Sequence, residues 1–286
     1  MFTVASCTAA NAISVATLAQ PWGAVLCHRE AHIECDECGA AEFYSGGAKL
    51  VLIDGDAAKI TPQALEEGIA RNARGIHSVV PAAVSISQTT ERGAVYKPAE
   101  IAALAAVAKR AGLGLHMDGA RFGNAVAALV CKPAEITWRA GVDLLSFGAT
   151  KNGAIAAEAI VCFDLARADE IARRRKRGGQ LFSKGRFVAA QLLAYLDNDL
   201  WLTLAKRSNA LAARIGEAAG AILSHPVESN QIFISPGAAA LEALRSSGAE
   251  FYDWGLEGSG EARLVVSWNQ SEADIEVMRR LLASLS

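Results

Sequence analysis

The stretch LHMDGARFG, residues 115–123, decides the fold because it joins a short apolar strand to a polar turn. The strand ends at Asp118, and a glycine, an alanine and Arg121 follow. In open α/β sheets, ligands bind beyond the carboxyl ends of the strands, which is where this aspartate would lie. We therefore expect a sheet with a binding site at the end of the Gly114–Asp118 strand.

Similar short apolar runs lie on both sides of this stretch and are typical of buried strands. They are Ala24–Cys27, Lys49–Ile53, Ser78–Ser87, Leu144–Phe147 and Ala159–Phe163. Helical segments separate several of them: Thr61 and Pro62 form a helix start, and another helix begins at Pro98 and is closed by Gly112. This alternation predicts an α/β fold with a mostly parallel sheet and helices on both faces.

The pattern changes near residue 200, where a long helical run over Leu200–Ala219 begins. Two strand-like runs follow, QIFIS at residues 231–235 and ARLVVSW at residues 262–268. Further helices are predicted over Gly237–Arg245 and from Ser271. We predict a large domain over residues 1–205 and a smaller α+β domain over residues 206–286, without a flexible linker between them.

The composition excludes several classes of protein. The 286 residues are 52% hydrophobic and 20% charged, which permits a sizeable core and argues against disorder. A net charge of −2 argues against an overall basic nucleic-acid binder. No apolar run reaches the roughly 18–20 residues of a membrane helix, and the amino terminus lacks the pattern of a signal peptide. The six scattered cysteines favour reduced thiols and a cytoplasmic location.

Asp118 and Arg121 are the first candidate site residues. An acid at a strand end, followed by glycine and arginine, is typical of a ligand site. The simpler interpretation is a loop carboxylate that pairs with Arg121. Position alone does not separate the two interpretations.

A second candidate lies in DLLSFGATKNG, residues 143–153, where an apolar strand ends in small residues before Lys151. A lysine among small and apolar neighbours loses hydration, which lowers its pKa and favours the neutral amine that forms Schiff bases. The simpler interpretation is a solvated loop lysine. The combination with Asp118, one strand earlier, favours a functional role.

The third candidate is the run Ser6–Asn11, in which hydroxyl and small residues precede an alanine-rich helix. Free N–H groups at a helix start bind phosphate well, although an ordinary N-cap at Thr8 would give the same pattern. Together the three candidates fit pyridoxal phosphate: Lys151 for its aldehyde carbon, Asp118 for its pyridine nitrogen and the helix start for its phosphate.

Three stretches resemble the low-specificity L-threonine aldolases, which are pyridoxal phosphate enzymes of fold type I. They are AVLCHREAHIECDECGAAEFYSGGAKLV at residues 24–51, LHMDGARFGNAVAAL at residues 115–129 and DLLSFGATKNGA at residues 143–154. The resemblance implies retro-aldol cleavage of L-threonine, L-allo-threonine and related β-hydroxy-α-amino acids to glycine and an aldehyde. It also implies a homodimer or homotetramer, with Lys184 or Arg186 as candidates to reach the phosphate of a neighbouring subunit.

The resemblance assigns roles to individual residues. Lys151 would bind the cofactor covalently, Asp118 its ring nitrogen, and Arg121 would bind at the cofactor and hold the substrate carboxylate. His32 would stack on the ring and is the candidate base for the β-hydroxyl proton, directly or through water. Arg263 resembles a second carboxylate-binding arginine. Cys7 and Thr8 match the Gly-Thr pair that binds the phosphate, with cysteine as a departure from glycine.

The resemblance also implies that family members carry a further segment before the stretch that matches Phe2. We expect this chain to lack that segment and to begin at an inner strand, MFTVA. Two alternatives follow. One is a shortened, inactive relative that acts by binding or assembly. The other is a different fold-type I lyase or transaminase.

Two motifs have competing interpretations. His28, His32, Cys35 and Cys38 have zinc-like spacing, but the intervening acids are unhelpful and we expect no metal. Cys35 and Cys38 also form a CxxC pair without a thioredoxin context. The basic run Arg173–Arg177 is typical either of an anionic partner site or of a helix carboxyl end before Gly178, and we favour the helix end.

Overall fold

The computed structural model describes residues 1–72 and 74–285. The strands are β1 (Phe2–Val4), β2 (Gly23–His28), β3 (Lys49–Ile53), β4 (Val80–Ser87), β5 (Gly114–Gly119), β6 (Leu144–Gly148), β7 (Glu158–Cys162), β8 (Gln231–Ile234), β9 (Tyr252–Trp254) and β10 (Glu261–Val265). The helices are α1 (Cys7–Leu18), α2 (His32–Cys35), α3 (Ala40–Ser45), α4 (Pro62–Arg71), α5 (Pro98–Arg110), α6 (Phe122–Leu129), α7 (Ala168–Arg177), α8 (Arg186–Leu196), α9 (Leu200–Ala219), α10 (Ala238–Ser246) and α11 (Glu272–Ala283). Every strand predicted from the sequence is present, with ends shifted by at most a few residues.

The first seven strands form one sheet in the order β1-β7-β6-β5-β4-β2-β3. Within the set β2 to β6, every pair of neighbouring strands is parallel, whereas β7 is antiparallel to both β6 and β1. The prediction of a mostly parallel sheet is therefore confirmed. The prediction of an inner strand at MFTVA is wrong, because β1 pairs with β7 and lies at the edge of the sheet.

Helices cover both faces of this sheet. In β2, Leu26 belongs to a core cluster with Leu104 of α5, while Val25 on the opposite face belongs to a cluster with Val15 of α1. Side chains of a strand alternate between faces, so both faces of β2 are buried in helical layers. Helix α1 is buried along its length over residues 9–17, and its small alanines allow it to pack closely between the sheet and neighbouring helices.

The carboxy-terminal strands form a separate antiparallel sheet in the order β8-β10-β9. Helix α9 joins the two parts: Trp201 packs in the core of the large sheet, whereas Leu211 and Ile215 pack in the second core with Ile275 of α11. The change of core lies within one continuous helix, close to the predicted boundary at residue 205. The division into two domains stays a prediction.

A buried polar ladder crosses the centre of the large sheet. His116 in β5 is fully buried, with Nδ1 2.9 Å from Ser85 Oγ in β4 and Nε2 2.9 Å from Ser146 Oγ in β6. Burial lowers the pKa of His116 to about 4, against a weaker opposing effect of Asp118. The imidazole is therefore neutral in the folded protein at neutral pH, and both hydroxyls satisfy its ring nitrogens.

We predict that His116 makes the free energy of unfolding depend on pH. The unfolded chain binds this proton near pH 6.5 but the folded chain only near pH 4, so stability is full above 6.5 and falls as the pH drops. Between pH 7 and pH 5 the loss is about 2 kcal/mol. Denaturant unfolding at pH 7 and pH 5 should show this loss in the parent chain and in the exposed-site control His77→Asn, but not in His116→Asn. Equal pH dependence in the His116 variant would contradict the assignment.

Candidate active site

The candidate residues meet at the carboxyl ends of the central strands. Ser87 of β4 is level with Asp118 of β5, which in turn is level with Ser146 of β6. Lys151 lies in the single helical turn Thr150–Asn152 that follows β6. A Cβ atom at Gly148 would come within 2.6–2.9 Å of the Ala120 backbone, so glycine there lets the turns after β5 and β6 approach each other.

The carboxylate of Asp118 is buried beside the first turns of α1. Its Oδ2 accepts a hydrogen bond from Asn11 Nδ2 at 2.8 Å, and its Oδ1 accepts one from the Ala120 N–H at 2.9 Å. Cys7 Sγ lies 3.5 Å from Oδ1. Burial alone would raise the pKa of Asp118, but the charges of His32 and Lys151, with the Ala120 hydrogen bond, hold it below the usual range.

Asp118 is therefore an ionised carboxylate whose direct contacts are neutral donors. The simpler interpretation, a pair with Arg121, is wrong, since no ion pair joins these two residues in the described part of the chain. A buried anion of this kind is suited to hold a cationic N–H group of a ligand.

His32 begins the short helix α2 and is held by Glu37, a residue that the sequence analysis missed. His32 Nδ1 lies 3.0 Å from Glu37 Oε1, and the same oxygen accepts a hydrogen bond from Asn11 Nδ2 at 2.8 Å. The Glu37 side chain is fully buried. The hydrogen bond with Glu37 raises the pKa of His32, burial opposes this, and the charges of Asp118 and Glu91 support it.

Asn11 thus connects the two acids: its amide nitrogen donates to both Glu37 and Asp118. One ligand atom from each of His32, Glu37 and Asp118 lies within 4.8 Å of the others. Sequence reasoning could have found Asn11, because it lies one helical turn after Cys7 on the same face of α1. No comparable spacing in the sequence indicates Glu37, because it lies beyond the end of α2.

Arg121 and Arg263 come together although they are far apart in the sequence. Each has a buried Nε without a hydrogen-bond partner among residues 1–72 and 74–285. Burial lowers the pKa of Arg121; the carboxylate of Glu91 opposes this effect, and the like charge of Arg263 adds to it. The Arg263 guanidinium also lies over Trp254, with 4.5 Å from Cζ to the ring centroid. Two neighbouring guanidinium groups with unused donors are suited to bind a carboxylate.

The structure corrects two expectations about the remaining residues. Lys151 is exposed in the single chain, contrary to the expected loss of hydration, and its charge acts on Asp118 and Cys7. The N-cap of α1 is Ser6, whose Oγ accepts from the Ala9 N–H at 3.1 Å, and not Thr8. Cys7 and Thr8 therefore form the first turn, where backbone N–H groups have no partner within the helix.

This set of residues fits pyridoxal phosphate. Among the described residues, no cationic side chain is in direct contact with the ionised Asp118, and a protonated ring nitrogen would supply that contact. The first turn of α1, with Cys7 and Thr8, offers N–H groups and a hydroxyl to a phosphate. The Cys7 thiol stays protonated, because burial and the charges of Asp118 and Glu158 raise its pKa. Lys151 provides an accessible amine at the same edge of the sheet.

The competing motifs are not assembled into sites. His28 Nε2 lies 3.0 Å from the Gly55 carbonyl, and its Nδ1 accepts from the Glu30 N–H at 3.0 Å. Cys35 and Cys38 are exposed. In the described part of the chain, the group of acids, histidines and cysteines close enough to share a metal is His32, Glu37 and Asp118, which differs from the set with zinc-like spacing.

The basic run has the helical role that the sequence analysis favoured. It occupies the last turns of α7, which ends before Gly178, and the Gly178 N–H donates to the Arg174 carbonyl at 2.8 Å. Arg173 and Arg174 pair with Asp169 and Glu170, one turn earlier. Throughout the described ranges, each helix is too short or too polar to span a membrane.

Comparisons with known proteins show the family and the fold of this chain. The beta-eliminating lyase family model matches residues 1–237. The low specificity L-threonine aldolase of Pseudomonas aeruginosa is 45% identical over 278 residues, which cover 96% of this chain and 79% of that protein. The structure is similar to a threonine aldolase of Leishmania major, with a TM-score of 0.91, 30% identity and coverage of 99% of this chain and 83% of the other. The aspartate aminotransferase of Thermus thermophilus shares the fold, with a TM-score of 0.70, 14% identity and coverage of 99% and 75%.

We predict that Glu37→Gln lowers the pKa of His32, because the hydrogen bond to the carboxylate is the largest cause of its elevation. The measurement is a pH titration of the imidazole signals by NMR, with His32→Gln to assign the resonance. Glu34→Gln is the matched control, since Glu34 lies in the same helix and makes no hydrogen bond to His32. An unchanged His32 pKa in Glu37→Gln would show that another group holds the proton.

Proposed function

The chain belongs to the beta-eliminating lyase family, and we propose from this premise that its site cleaves L-threonine, L-allo-threonine and related β-hydroxy-α-amino acids to glycine and an aldehyde. It is a lyase of the threonine aldolase type with the fold-type I architecture of pyridoxal phosphate enzymes. The observation that carries the proposal is the convergence of two unpaired arginines, Arg121 and Arg263, on the edge that holds Asp118 and Lys151.

Pyridoxal phosphate is the cofactor that this family and fold imply. When bound, it supplies an electron acceptor for the bond pair released from the substrate. Lys151 is proposed to bind it covalently and Asp118 to hold its ring nitrogen. Cys7 and Thr8, in the first turn of α1, would bind the phosphate through backbone N–H groups and the Thr8 hydroxyl.

Arg121 and Arg263 are proposed to hold the substrate carboxylate through charge-assisted hydrogen bonds. Fixing the carboxylate restricts rotation about the Cα atom, so that the Cα–Cβ bond can be held in the orientation that favours its cleavage. His32 is proposed to pack on the cofactor ring. The hydrogen bond with Glu37 keeps the His32 imidazole protonated to higher pH. His32 therefore carries its exchangeable proton at Nε2 and is suited to donate it.

We also propose a homodimer or homotetramer in the cytoplasm. Large apolar side chains along α8 and at the start of α9 are exposed in the single chain, and such surfaces are typical of subunit interfaces: Phe187, Leu193, Leu196 and Leu200. The six cysteines are free thiols, which suits a reducing compartment. No observed feature favours the alternatives of an inactive binding relative or of another lyase or transaminase.

We predict that Lys151 is the lysine that binds the cofactor. Borohydride reduction of the loaded protein, followed by peptide mapping, should place the cofactor on Lys151. The Lys151→Ala variant should lose both the label and the release of acetaldehyde from L-threonine, whereas Lys109→Ala, in the last turn of α5, should keep both. Labelling at another lysine would overturn the assignment.

For Asp118→Asn we expect some retained cofactor but a large loss of turnover. The substitution keeps the size of the side chain and removes a charge-assisted hydrogen bond that is stronger in a buried site. At 1.36 kcal/mol per decade, the turnover should fall by about two orders of magnitude. The measurement is acetaldehyde release from L-threonine or L-allo-threonine, divided by bound cofactor. The exposed-site control Asp36→Asn should behave as the parent chain, and near-normal turnover of Asp118→Asn would mean a purely structural aspartate.

A further inference from the structure

We propose that Glu91 is the group that accepts the β-hydroxyl proton of the substrate. This inference rests on the proposed aldol cleavage and adds a catalytic residue that the sequence analysis did not consider. It also assigns the roles of base and proton donor to different residues, because Glu91 is then the base and His32 serves as a proton donor.

The backbone places Glu91 at the same sheet edge as Asp118. Glu91 lies four residues beyond the end of β4, and the Gln88 N–H donates to the Asp118 carbonyl at 2.7 Å. A tight turn follows, in which the Thr90 N–H donates to the Ala94 carbonyl and the Gly93 N–H to the Thr90 carbonyl, both at 2.9 Å. Gly93 has a φ of +73°, which a side chain would strain.

Arg92 fixes this turn against the two segments that carry other site residues. Its Nε donates to Glu30 Oε2 at 2.6 Å, and its Nη1 donates to Glu261 Oε1 at 3.0 Å. Glu30 lies two residues before His32, and Glu261 lies two residues before Arg263. Arg92 therefore holds Glu91 in a defined position relative to both the imidazole and the carboxylate-binding guanidinium.

The Glu91 residue is largely buried, and no donor in the described part of the chain bonds its carboxylate. The residue is 7% exposed, and no hydrogen bond or ion pair to its side chain occurs in the ranges 1–72 and 74–285. The charged groups that act on it are Asp118, His32, Arg121 and Lys151, all from the candidate site. A largely buried carboxylate that no protein group hydrogen-bonds keeps its oxygens free to accept a hydrogen bond from a ligand.

Each of the other buried acids of the site accepts at least one hydrogen bond, although Glu37 Oε2 is buried and has no partner in the described part of the chain. Asp118 accepts from Asn11 and Ala120, and Glu37 accepts from Asn11 and lies against His32. Glu158 accepts from the Ala149 N–H at 3.1 Å. Glu91 is thus the acid of this set, in the described chain, whose carboxylate accepts no hydrogen bond at either oxygen.

Its protonation chemistry suits the task. Burial raises the pKa of Glu91, the charge of Asp118 adds to this, and the three cations oppose it. A carboxylate with a raised pKa is a better acceptor of a hydroxyl proton than an ordinary one, while the cations keep the charged form accessible. Arg121, which acts on Glu91, is also the proposed anchor of the substrate carboxylate, so substrate bound there would lie next to the base.

The step balances without a further reactant. The β-hydroxyl proton passes to a Glu91 carboxylate oxygen, and the O–H bond pair becomes the second bond of the aldehyde C=O. The Cα–Cβ bond breaks and its electron pair remains with the glycine fragment. Protonation of that fragment at Cα gives glycine, and Glu91 returns its proton to solvent, so no net proton is gained or lost.

The test compares two reactions of the cofactor-loaded protein. Acetaldehyde release from L-threonine needs a base for the hydroxyl proton, whereas exchange of the glycine Cα proton with deuterated water, followed by NMR, does not. In Glu91→Gln we expect acetaldehyde release to fall by about a hundredfold or more, which is the size of a general-base effect. Glycine exchange, the amount of bound cofactor and its absorbance spectrum should stay within about threefold of the parent chain.

Two further variants make the result specific. Glu91→Asp keeps the carboxylate and should restore part of the cleavage, and Glu34→Gln should leave both reactions unchanged. The cleavage rate should fall at low pH in the parent chain and in Glu91→Asp, because the base acts only when ionised. This fall should be absent in Glu91→Gln. Equal losses of cleavage and exchange in Glu91→Gln, or no loss of either, would overturn the proposal.

The proposed function fails in a different way. A loaded parent chain that exchanges the glycine proton but releases no aldehyde from any β-hydroxy-α-amino acid would contradict aldol cleavage, and the role of Glu91 would fall with it. Normal cleavage in the parent chain together with normal cleavage in Glu91→Gln would leave the function intact and remove Glu91 alone.

Discussion

The interaction on which the site depends is the burial of an ionised Asp118 at the end of β5. A buried carboxylate is costly unless donors and opposite charges surround it. Asn11 and the Ala120 backbone supply the donors, while His32 and Lys151 supply the charges. These groups come from different segments. The surroundings that keep the Asp118 carboxylate ionised therefore require α1, α2 and the turns after β5 and β6 to lie next to one another.

The need to keep Asp118 ionised also explains the residues that surround its direct contacts. His32 can act as a cation beside Asp118 because Glu37 accepts its Nδ1 proton, and Asn11 holds both acids at once. Beneath Asp118 on the same face of β5, His116 is neutral and hydrogen-bonded to serines of the two neighbouring strands. The interior below the site therefore adds no further charge, and the charged groups remain at the carboxyl edge.

The carboxy-terminal part completes the site through the turn after β4. Ser229 Oγ donates to the Gly93 carbonyl at 2.9 Å, and Glu228 accepts from the Val95 N–H at 2.7 Å. Arg92 adds ion pairs to Glu30 and Glu261. The turn that carries Glu91 is thereby held between the strand edge that bears Asp118 and the sheet that bears Arg263, so the groups proposed to bind the substrate and to accept its proton keep one geometry.

Local pattern determined much of this protein. The apolar runs, the helix starts at Thr61 and Ser271 and the glycine after α5 predicted the elements, because periodicity and capping depend on residues close in the sequence. The position of Asp118 and Lys151 at one edge of the sheet was predictable for a related reason, because strand ends of a parallel sheet share one edge. Tertiary structure alone decided that Glu37 meets His32 and that Glu91 has no donor within the described ranges, since these facts depend on contacts between distant segments. It also decided that MFTVA is an edge strand, because strand order follows from packing of the whole sheet and not from the composition of one strand.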